Sequence, residues 1–411
     1  MWTNEVWGLA TLNTENDRYI TCSDDGTLRL WSSVKRKLIC MKQFSLEKGK
    51  GKRKKYGFAF ENPSSKNTAS KKKVKGFGGK KGKTDKYQIT AARCVGINHS
   101  DTIICVGMKL GAVMVITSDP TKNDLNMQKL KVIQQSKRWI SEIKFSPNDE
   151  QVAIGAHDQK IYMYKCTGQR KFKNVKRPML KHSSAITHID WTDDSQNIQS
   201  NCQAYEILFW DANSQIQNPS GASALKNTNW HTWTCTIGFR VQEIWRGTED
   251  GTDVNAVDRS HGMVLDNKDK YHLMARADDF GKVSIYKDPI VISGQEYNEF
   301  GGHSSHVTSC RFSQRDTHLF TTGGEDQCVM QWAVRANMPS QGSVEQHDDD
   351  ADDDEEGYGE DGEEVYDDDD DEDEDLDDQD DDEVDHEMEG IQTKKVSSKR
   401  RRQKYVDEDD D

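Results

Sequence analysis

The chain has 411 residues, a hydrophobic content of 33% and a formal net charge of −15. No apolar run approaches the ~20 residues of a membrane-spanning helix, and the N-terminus shows no basic stretch followed by an apolar one. The composition therefore argues against a membrane partner and a secretory signal. Nine cysteines without a Cys-x-x-Cys pair argue against a disulfide framework and predict buried, reduced thiols.

The net charge is an average over segments of opposite sign. Residues 348–389 contain 30 Asp or Glu and neither Lys nor Arg, whereas residues 48–86 contain 15 Lys or Arg and two acidic residues. Sequences of this kind bury too little apolar surface to offset the entropy lost on ordering the chain. We therefore expect the charge to lie in segments that do not fold.

One segment recurs six times along the chain: a polar turn, an alternating apolar strand and an aromatic or apolar end. The end residues are Trp31, Ile116, Tyr164, Trp210, Tyr286 and Trp332, spaced 85, 48, 46, 76 and 46 residues apart. A repeat of roughly 40–45 residues predicts an all-β fold, the WD-repeat β-propeller. A single four-stranded blade cannot bury both faces of its sheet, but stacked blades can.

Six blades are recognisable, and one of them is atypical. The first begins at Val6, and further first strands begin at Ala92, Trp139, His182 and His303. Each predicted strand alternates between apolar and polar residues and ends at Asn, Asp or Gly, as hairpins require. The ring either closes with six blades or takes a seventh from sequence before Met1.

Two intervals between repeats are too long for one blade. The first contains the Lys- and Gly-rich residues 47–86, which we expect to form a disordered insert. The second contains the aromatic residues 232–245, which we expect to be ordered as one or two extra strands of the atypical blade. The predicted domains are a propeller over residues 1–336 and a disordered acidic tail over 337–411 that ends in a basic cluster.

The histidines and aspartates of the repeats have a structural interpretation. In WD-repeat blades a histidine at the blade start bonds a turn aspartate and a Ser or Thr, and aspartate favours such turns by bonding its own backbone. The sequence lacks a Gly-x-Ser-x-Gly elbow and any Cys/His spacing that suits zinc. We therefore expect no catalytic residue and no metal. The expected structural blade residues are Asp25, Trp31, Asp158, Trp210, Asp279, His303, Asp326 and Trp332.

A glycine- and lysine-rich stretch at residues 76–84 is similar to a phosphate-binding loop. That motif needs a glycine separated by four residues from its Gly-Lys-Thr, and Phe77 stands there instead. No apolar strand precedes the stretch and no helical pattern follows it. We therefore expect no nucleotide and no other cofactor.

Several stretches match a known family more closely than a general WD repeat does. They are Glu5–Thr11, Ala153–Asp158, His182–Trp191, Trp233–Phe239, Gly247–Asn255, Ala277–Val283 and His303–Thr308. On these stretches, residues 5–335 resemble the C-terminal part of the echinoderm microtubule-associated protein-like family. The most specific matches are the cysteine-containing Trp233–Phe239 and the Asp-Gly-Thr-Asp turn at 250–253. The resemblance implies a propeller that binds tubulin and the microtubule lattice and has no enzymatic activity.

The predicted function is a non-catalytic, microtubule-associated scaffold in the cytoplasm and cytoskeleton, with a cilium or axoneme as one setting. The propeller would bind tubulin and other proteins through its rim, and the basic insert would add affinity for acidic surfaces. Aromatic residues in the insert are too sparse to suggest nucleic acid. The candidate electrostatic binding residues are Lys52, Arg53, Lys54, Lys55, Lys71, Lys72, Lys73, Lys75, Lys80, Lys81 and Lys83.

A second function class fits the same sequence. A general WD-repeat adaptor would act in the nucleus, directed there by the basic residues 399–402, and its acidic tail would bind basic proteins. The basic residues are equally a counterweight to the acidic tail.

Overall fold

The structure is a computed structural model. It describes residues 4–47, 55–61, 87–167, 171–175, 177–247, 249–250, 253–262, 264–266 and 269–335. These residues belong to one compact unit, Met1–Ser343, and the second unit, Val344–Asp411, lies outside the described part of the chain.

Six antiparallel sheets of three or more strands follow one another along the described chain, and a separate two-stranded hairpin lies within the sequence of the fifth; this confirms the predicted β-propeller with six blades. Blade one contains β1 (Val6–Thr11), β2 (Arg18–Ser23), β3 (Thr27–Ser32), β4 (Lys37–Glu47), β5 (Lys55–Glu61) and β6 (Tyr87–Ile89). Blade two contains β7 (Ala92–Ile97), β8 (Ile103–Met108), β9 (Ala112–Thr117) and β10 (Gln128–Gln134). Blade three contains β11 (Ile140–Phe145), β12 (Gln151–Ala156), β13 (Lys160–Thr167), β14 (Lys171–Asn174) and β15 (Met179–Leu180).

The other three blades are less uniform. Blade four contains β16 (Ile186–Trp191), β17 (Asn197–Cys202) and β18 (Ile207–Asp211), followed by a short helix α1 (Gly221–Ala224) and a 3₁₀ turn (Phe239–Val241). Blade five contains β19 (Val254–Arg259), the hairpin β20 (Val264–Asp266) and β21 (Asp269–Tyr271), then β22 (Leu273–Asp278), β23 (Lys282–Lys287) and β24 (Tyr297–Gly301). Blade six contains β25 (Val307–Phe312), β26 (His318–Gly323) and β27 (Val329–Ala333).

The hairpin between the second and third strand of each blade has the same backbone shape. Gly26, Gly111 and Gly281 have φ values of 74°, 78° and 74° there. Glycine enters this left-handed region at little cost because it has no Cβ. Blades three, four and six use Gln159, Tyr205 and Gln327 at this position, with φ between 54° and 70°. The shared turn explains why the repeat was visible in the sequence although its residues differ.

The hydrophobic core lies between neighbouring blades. One group joins blades one and two around Leu28, Phe44 and Met114, and others follow around the ring. Blade six packs on blade one, where Tyr19 stacks on Phe320 with ring centroids 4.3 Å apart. Burial of apolar faces against the next blade is what stabilises each sheet.

Two details of the chain differ from the sequence-based expectations. Part of the insert expected to be disordered is a strand, since β5 pairs with β4 along Lys55–Glu61. The alternating Tyr56, Phe58 and Phe60 carry the period of two that a strand requires. The remainder of the insert, 48–54 and 62–86, and the predicted tail lie outside the described residues.

Residues 232–245 are ordered, but the prediction of extra strands there is wrong for this described segment. It contains turns and the 3₁₀ helix instead. The physical reason is the buried carboxylate of Asp190. The backbone N–H groups of Thr234 and Cys235 donate to its oxygens at 2.9–3.0 Å, so they are not available to a neighbouring strand. The segment thereby fills the space between blades four and five.

Candidate functional site

The first strand of every blade has a β-bulge near its start. The register breaks between residues 6/8, 92/94, 140/142, 186/188, 254/256 and 307/309. A bulge inserts one residue that is not paired in the ladder, and it redirects that side chain. The bulged residues are Trp7, Arg93, Ser141, Thr187, Asn255 and Thr308.

All six bulged residues line one cavity at the end of the ring where the first strands begin. Its volume is about 630 Å³. We call this the bulge cavity. It is lined by residues of every blade and by the segment that follows blade four. The six-fold repetition of one backbone irregularity therefore builds a mixed polar and aromatic surface around the central channel.

Stacked rings and an arginine form one wall of the bulge cavity. The Arg93 guanidinium carbon lies 4.4 Å from the ring centroid of Trp7 and 4.5 Å from that of Trp139. Trp139 stacks on His157 at 4.3 Å, and Trp7 contacts His306 at 6.0 Å on the other side. Cations over indole faces are attracted to the ring quadrupole, most strongly where water is excluded. The row therefore joins blades six, one, two and three in one rigid surface.

A buried ion pair holds this arginine in place. Arg93 Nη2 donates to Asp24 Oδ2 at 2.5 Å, and the two side chains are only 7% and 3% exposed. Burial raises the pKa of Asp24 and lowers that of Arg93, although each charge partly opposes the shift of the other. Lys109 lies 3.8 Å from the same carboxylate. Because removing two charges from water costs free energy, the surrounding fold must stabilise this pair.

Two further pairs of opposite charge lie at the bulge cavity, which Glu142 and Arg311 help to line. Lys144 lies 3.9 Å from Glu142, and Arg311 lies 3.9 Å from Asp258. Burial raises the pKa of both Glu142 and Asp258. Burial also lowers the pKa of His188 to about 4, so this imidazole is neutral at neutral pH. Each of these two positive charges therefore has a negative partner within 3.9 Å.

Two groups of the bulge cavity that could act as nucleophile or base, Cys94 and His157, have shifted pKa values. Burial raises the pKa of the Cys94 thiol well above its ordinary value, which keeps it protonated and a poor nucleophile. Burial, and then Arg93, lower the pKa of His157, whose ring is occupied by stacking on Trp139. Among the described residues of the cavity, no hydroxyl or thiol is hydrogen-bonded to a histidine that could activate it.

The predicted blade residues form two matching hydrogen-bond networks. In blade six, His303 bonds Asp326 and Thr321 at 2.8 Å each, and the Trp332 indole donates to the same threonine at 2.9 Å. In blade four the equivalent residues are His182, Ser200, Trp210 and Glu206. Glu206 stands where blade six has Asp326, and sequence reasoning did not single it out.

Blade four also brings together three atoms that could ligate a metal. The ligand atoms of His182, Cys202 and Glu206 lie within 4.8 Å of one another. Each of them already takes part in hydrogen bonds, since Cys202 Sγ and Ser183 both donate to the glutamate. Blade six repeats the network with Gly323 in place of the cysteine. The group is therefore explained by the hydrogen bonding of the blade.

The remaining predicted blade residues occupy separate positions. Asp25 accepts a hydrogen bond from the Thr27 backbone at 2.9 Å, and the Trp31 indole donates to Thr21 at 2.9 Å. Asp158 accepts from Ser136 and Tyr162, at 2.8 and 2.6 Å. Asp279 accepts from Asn255 Nδ2 at 2.7 Å and so holds a bulged residue at the bulge cavity.

The predicted electrostatic residues are not brought into this site by the described structure. Lys55 belongs to β5. The other ten lie outside the described residues: Lys52, Arg53, Lys54, Lys71, Lys72, Lys73, Lys75, Lys80, Lys81 and Lys83. Across the described parts of the chain, no helix is long and apolar enough to cross a membrane.

The bulged residues were not predicted from the sequence. The sequence does contain a signal for the aromatic and charged wall of the cavity, because Arg93 interrupts the apolar run Ala91–Val95, and Trp7 and Trp139 stand near strand starts. A bulge itself has no such signal, since it shifts the register without changing the composition.

Comparison with known proteins agrees with this architecture. The family described as the second β-propeller of echinoderm microtubule-associated protein matches residues 60–334, and the WD domain, G-beta repeat, matches residues 2–32. Both describe propeller or WD domains.

Individual proteins that are similar to this chain carry the name of the same family. Echinoderm microtubule-associated protein-like 2 of Homo sapiens is 34% identical over 331 residues, which is 80% of this chain and 42% of the relative. The 77 kDa echinoderm microtubule-associated protein of Lytechinus variegatus is 38% identical over 253 residues, 61% of this chain and 35% of the relative. Echinoderm microtubule-associated protein-like 4 of Xenopus tropicalis is 31% identical over 333 residues, which is 81% of this chain and 29% of the relative.

The chain thus spans less than half the length of these relatives. The family match covers every blade from the second to the sixth, together with the segment between blades four and five that the general WD repeat does not explain. This chain belongs to the echinoderm microtubule-associated protein family and corresponds to its second β-propeller.

Proposed function

We propose that this chain is a non-catalytic scaffold that binds tubulin in the microtubule lattice through its propeller. The observation that carries the proposal is membership of a family whose relatives are named as microtubule-associated proteins. The bulge cavity is the surface we assign to this contact. Trp7 and Trp139 offer aromatic area held rigidly by Arg93, and rigid aromatic anchors dominate the energy of protein interfaces.

The basic insert adds a second, electrostatic contribution to the proposed binding. Residues 48–86 carry 15 positive and two negative residues, a net charge of +13. A segment of that charge attracts acidic surfaces such as that of a microtubule, and salt screens the attraction over about 8–10 Å. We therefore expect the insert to raise affinity most at low ionic strength.

Cosedimentation with taxol-stabilised microtubules tests the role of the insert. Deletion would remove β5, so the better variant replaces seven lysines by glutamine: Lys71, Lys72, Lys73, Lys75, Lys80, Lys81 and Lys83. The matched control replaces the same lysines by arginine, which keeps the charge. We expect the glutamine variant to bind at least several-fold more weakly at low salt, and the arginine variant to bind like the wild type.

Equal sedimentation of the glutamine and arginine variants would remove the insert from the proposal. Sedimentation of the wild type no better than a control without microtubules would remove the proposal as a whole.

The proposal also places the chain on cytoplasmic microtubules, with an axoneme as one such structure. Nuclear accumulation of a fluorescent fusion that is lost on replacing Arg400–Arg402 by alanine would instead favour the nuclear adaptor.

A further inference from the structure

Two histidines meet at the end of the ring opposite the bulge cavity. His99 belongs to the loop between β7 and β8, and His231 belongs to the segment after blade four. Their Nε2 atoms lie 3.0 Å apart, with the rings inclined at 74°. The side chains are 29% and 37% exposed, so solvent ions can reach them.

Each ring is oriented by a carboxylate on its other nitrogen. His99 Nδ1 lies 2.8 Å from Asp149 Oδ1, and His231 Nδ1 lies 3.1 Å from Asp193 Oδ1. Backbone contacts fix both residues further, because the N–H of His99 donates to Asp149 at 2.8 Å and that of His231 to the Trp191 carbonyl at 2.8 Å. The four side chains form a row, carboxylate–imidazole–imidazole–carboxylate.

The hydrogen bonds on Nδ1 leave the two facing Nε2 atoms of this row without a proton between them. An ionised carboxylate accepts a hydrogen bond, so Nδ1 of each histidine carries the proton. A neutral ring with its proton on Nδ1 has a lone pair on Nε2. Two such lone pairs would face each other at 3.0 Å, and a cation between them is needed to relieve the repulsion.

A shared proton and a metal ion are the two cations that could lie between these lone pairs. The carboxylates that face the pair are Asp149 and Asp193, one on the outer nitrogen of each ring. A metal ion supplies positive charge without protonating either ring.

We propose that His99 and His231 bind a divalent transition-metal ion of the zinc type through their Nε2 atoms. Imidazole nitrogen is the commonest protein ligand of such ions, at about 2.0–2.1 Å. At that bond length, a separation of 3.0 Å gives an angle at the metal of about 95°, and widening to about 3.3 Å gives the tetrahedral value. The carboxylates match the outer partners that orient metal-binding histidines. Water or a group of a binding partner completes the coordination.

The proposed metal would connect parts of the ring that are far apart in sequence. It joins the loop of blade two to the segment after blade four, across the blade-three loop that carries Asp149. Because the unfolded chain does not hold the two rings together, metal binding stabilises the folded state by mass action. The folded chain should therefore unfold at a higher temperature when zinc is present.

Zinc titration of the full, chelator-treated chain tests the proposal. Isothermal calorimetry with ZnCl₂ is done in excess Mg²⁺, which occupies the carboxylate-rich tail but competes weakly for imidazole. We expect one zinc ion per chain in the wild type. We expect at least ten-fold weaker binding in His99→Gln and in His231→Gln, and about 10–100-fold weaker binding in Asp193→Asn.

Two controls separate this site from others. Cys202→Ser removes a potential ligand of the group in blade four, and His318→Gln removes a histidine that bonds Thr317. Both variants should bind zinc like the wild type and show the same rise in unfolding temperature. The unfolding temperature of each variant without zinc shows whether it folds.

Unchanged zinc binding in both histidine variants, or loss in Cys202→Ser alone, would overturn the proposal. If the wild type does not bind zinc with a stoichiometry of one ion per chain, the proposal is also overturned. A proton shared between the two rings is then the explanation for their approach. Should a glutamine variant fail to fold, chemical modification of the wild type gives the same decision. Zinc should then protect His99 and His231, but not His318, from diethyl pyrocarbonate.

Discussion

At the scale of single residues, the molecule depends on charges that are buried and paired. Arg93 illustrates this, because one guanidinium is held by Asp24 and lies between Trp7 and Trp139. Nε and Nη1 of the arginine have no hydrogen-bond partner among the described residues and lie between the rings. The stability of the bulge cavity should therefore respond sharply to the loss of this one side chain.

Replacing Arg93 by methionine should lower the free energy of unfolding by about 3 kcal/mol, because the carboxylate of Asp24 stays buried with only the more distant Lys109 near it. Urea unfolding measures the effect. The double variant Arg93→Met, Asp24→Asn should recover part of the loss. The control Arg29→Met breaks a more exposed pair with Asp25 and should cost under about 1 kcal/mol. Equal losses in the two single variants would contradict this account of the cavity wall.

His188 should make the fold sensitive to acid. Burial lowers its pKa from 6.5 to about 4 in the folded chain, so the unfolded chain takes up a proton first as the pH falls. Stability is lost between pH 6.5 and about 4, at a limiting slope of about 1.4 kcal/mol per pH unit. Urea unfolding at pH 6.5 and pH 4.5 should show a smaller loss in His188→Gln than in the wild type. The same loss in both proteins would exclude His188 as the source.

At the scale of elements, the strands follow from local pattern, whereas the connecting segments depend on distant partners. Asp190 shows the second case. Its carboxylate accepts hydrogen bonds from Thr232, Thr234 and Cys235, more than 40 residues along the chain. The positive charge of Lys144 and these bonds together hold its pKa below the ordinary value despite burial. One carboxylate thus replaces the strand pairing that would otherwise order the segment.

Asp190→Ala should release that segment. Since it removes several hydrogen bonds to a charged acceptor, we expect a loss of about 3 kcal/mol or more in unfolding free energy. Hydrogen–deuterium exchange should rise first in residues 232–245. Asp194→Ala, at an exposed carboxylate that accepts hydrogen bonds from Thr192 and Gln196 of its own turn, is the control. Protection of 232–245 that is equal in the two variants would refute the role of Asp190.

The sequence allowed the blades to be predicted because each contains the same turn between its second and third strand, with residues that tolerate positive φ. The apolar alternation of residues 232–245 was misinterpreted as strand, because no local pattern shows that the partner is Asp190. The same holds for His99 and His231, which are 132 residues apart, so no ligand spacing could indicate them. Bulge positions such as Arg93 were missed because a register break has no composition of its own.

At the scale of the whole molecule, the ring has two ends with different chemistry. One end carries the bulge cavity, with aromatic anchors and balanced charges. The other carries the connecting loops and the histidine pair. A propeller suits a scaffold because stacked blades fix the positions of side chains from all six sheets without any of them moving. We therefore expect the cavity end, and not the loop end, to decide binding to microtubules.

The measurement that tests this most directly is the microtubule affinity of the chain with both anchors shortened, Trp7→Leu and Trp139→Leu, in the cosedimentation assay at low salt. The control is Val34→Ser, at an exposed residue of the opposite end. Circular dichroism and the unfolding temperature establish that both variants are folded. The account predicts at least ten-fold weaker binding for the tryptophan variant and wild-type binding for the control. Wild-type affinity in a folded tryptophan variant would contradict it.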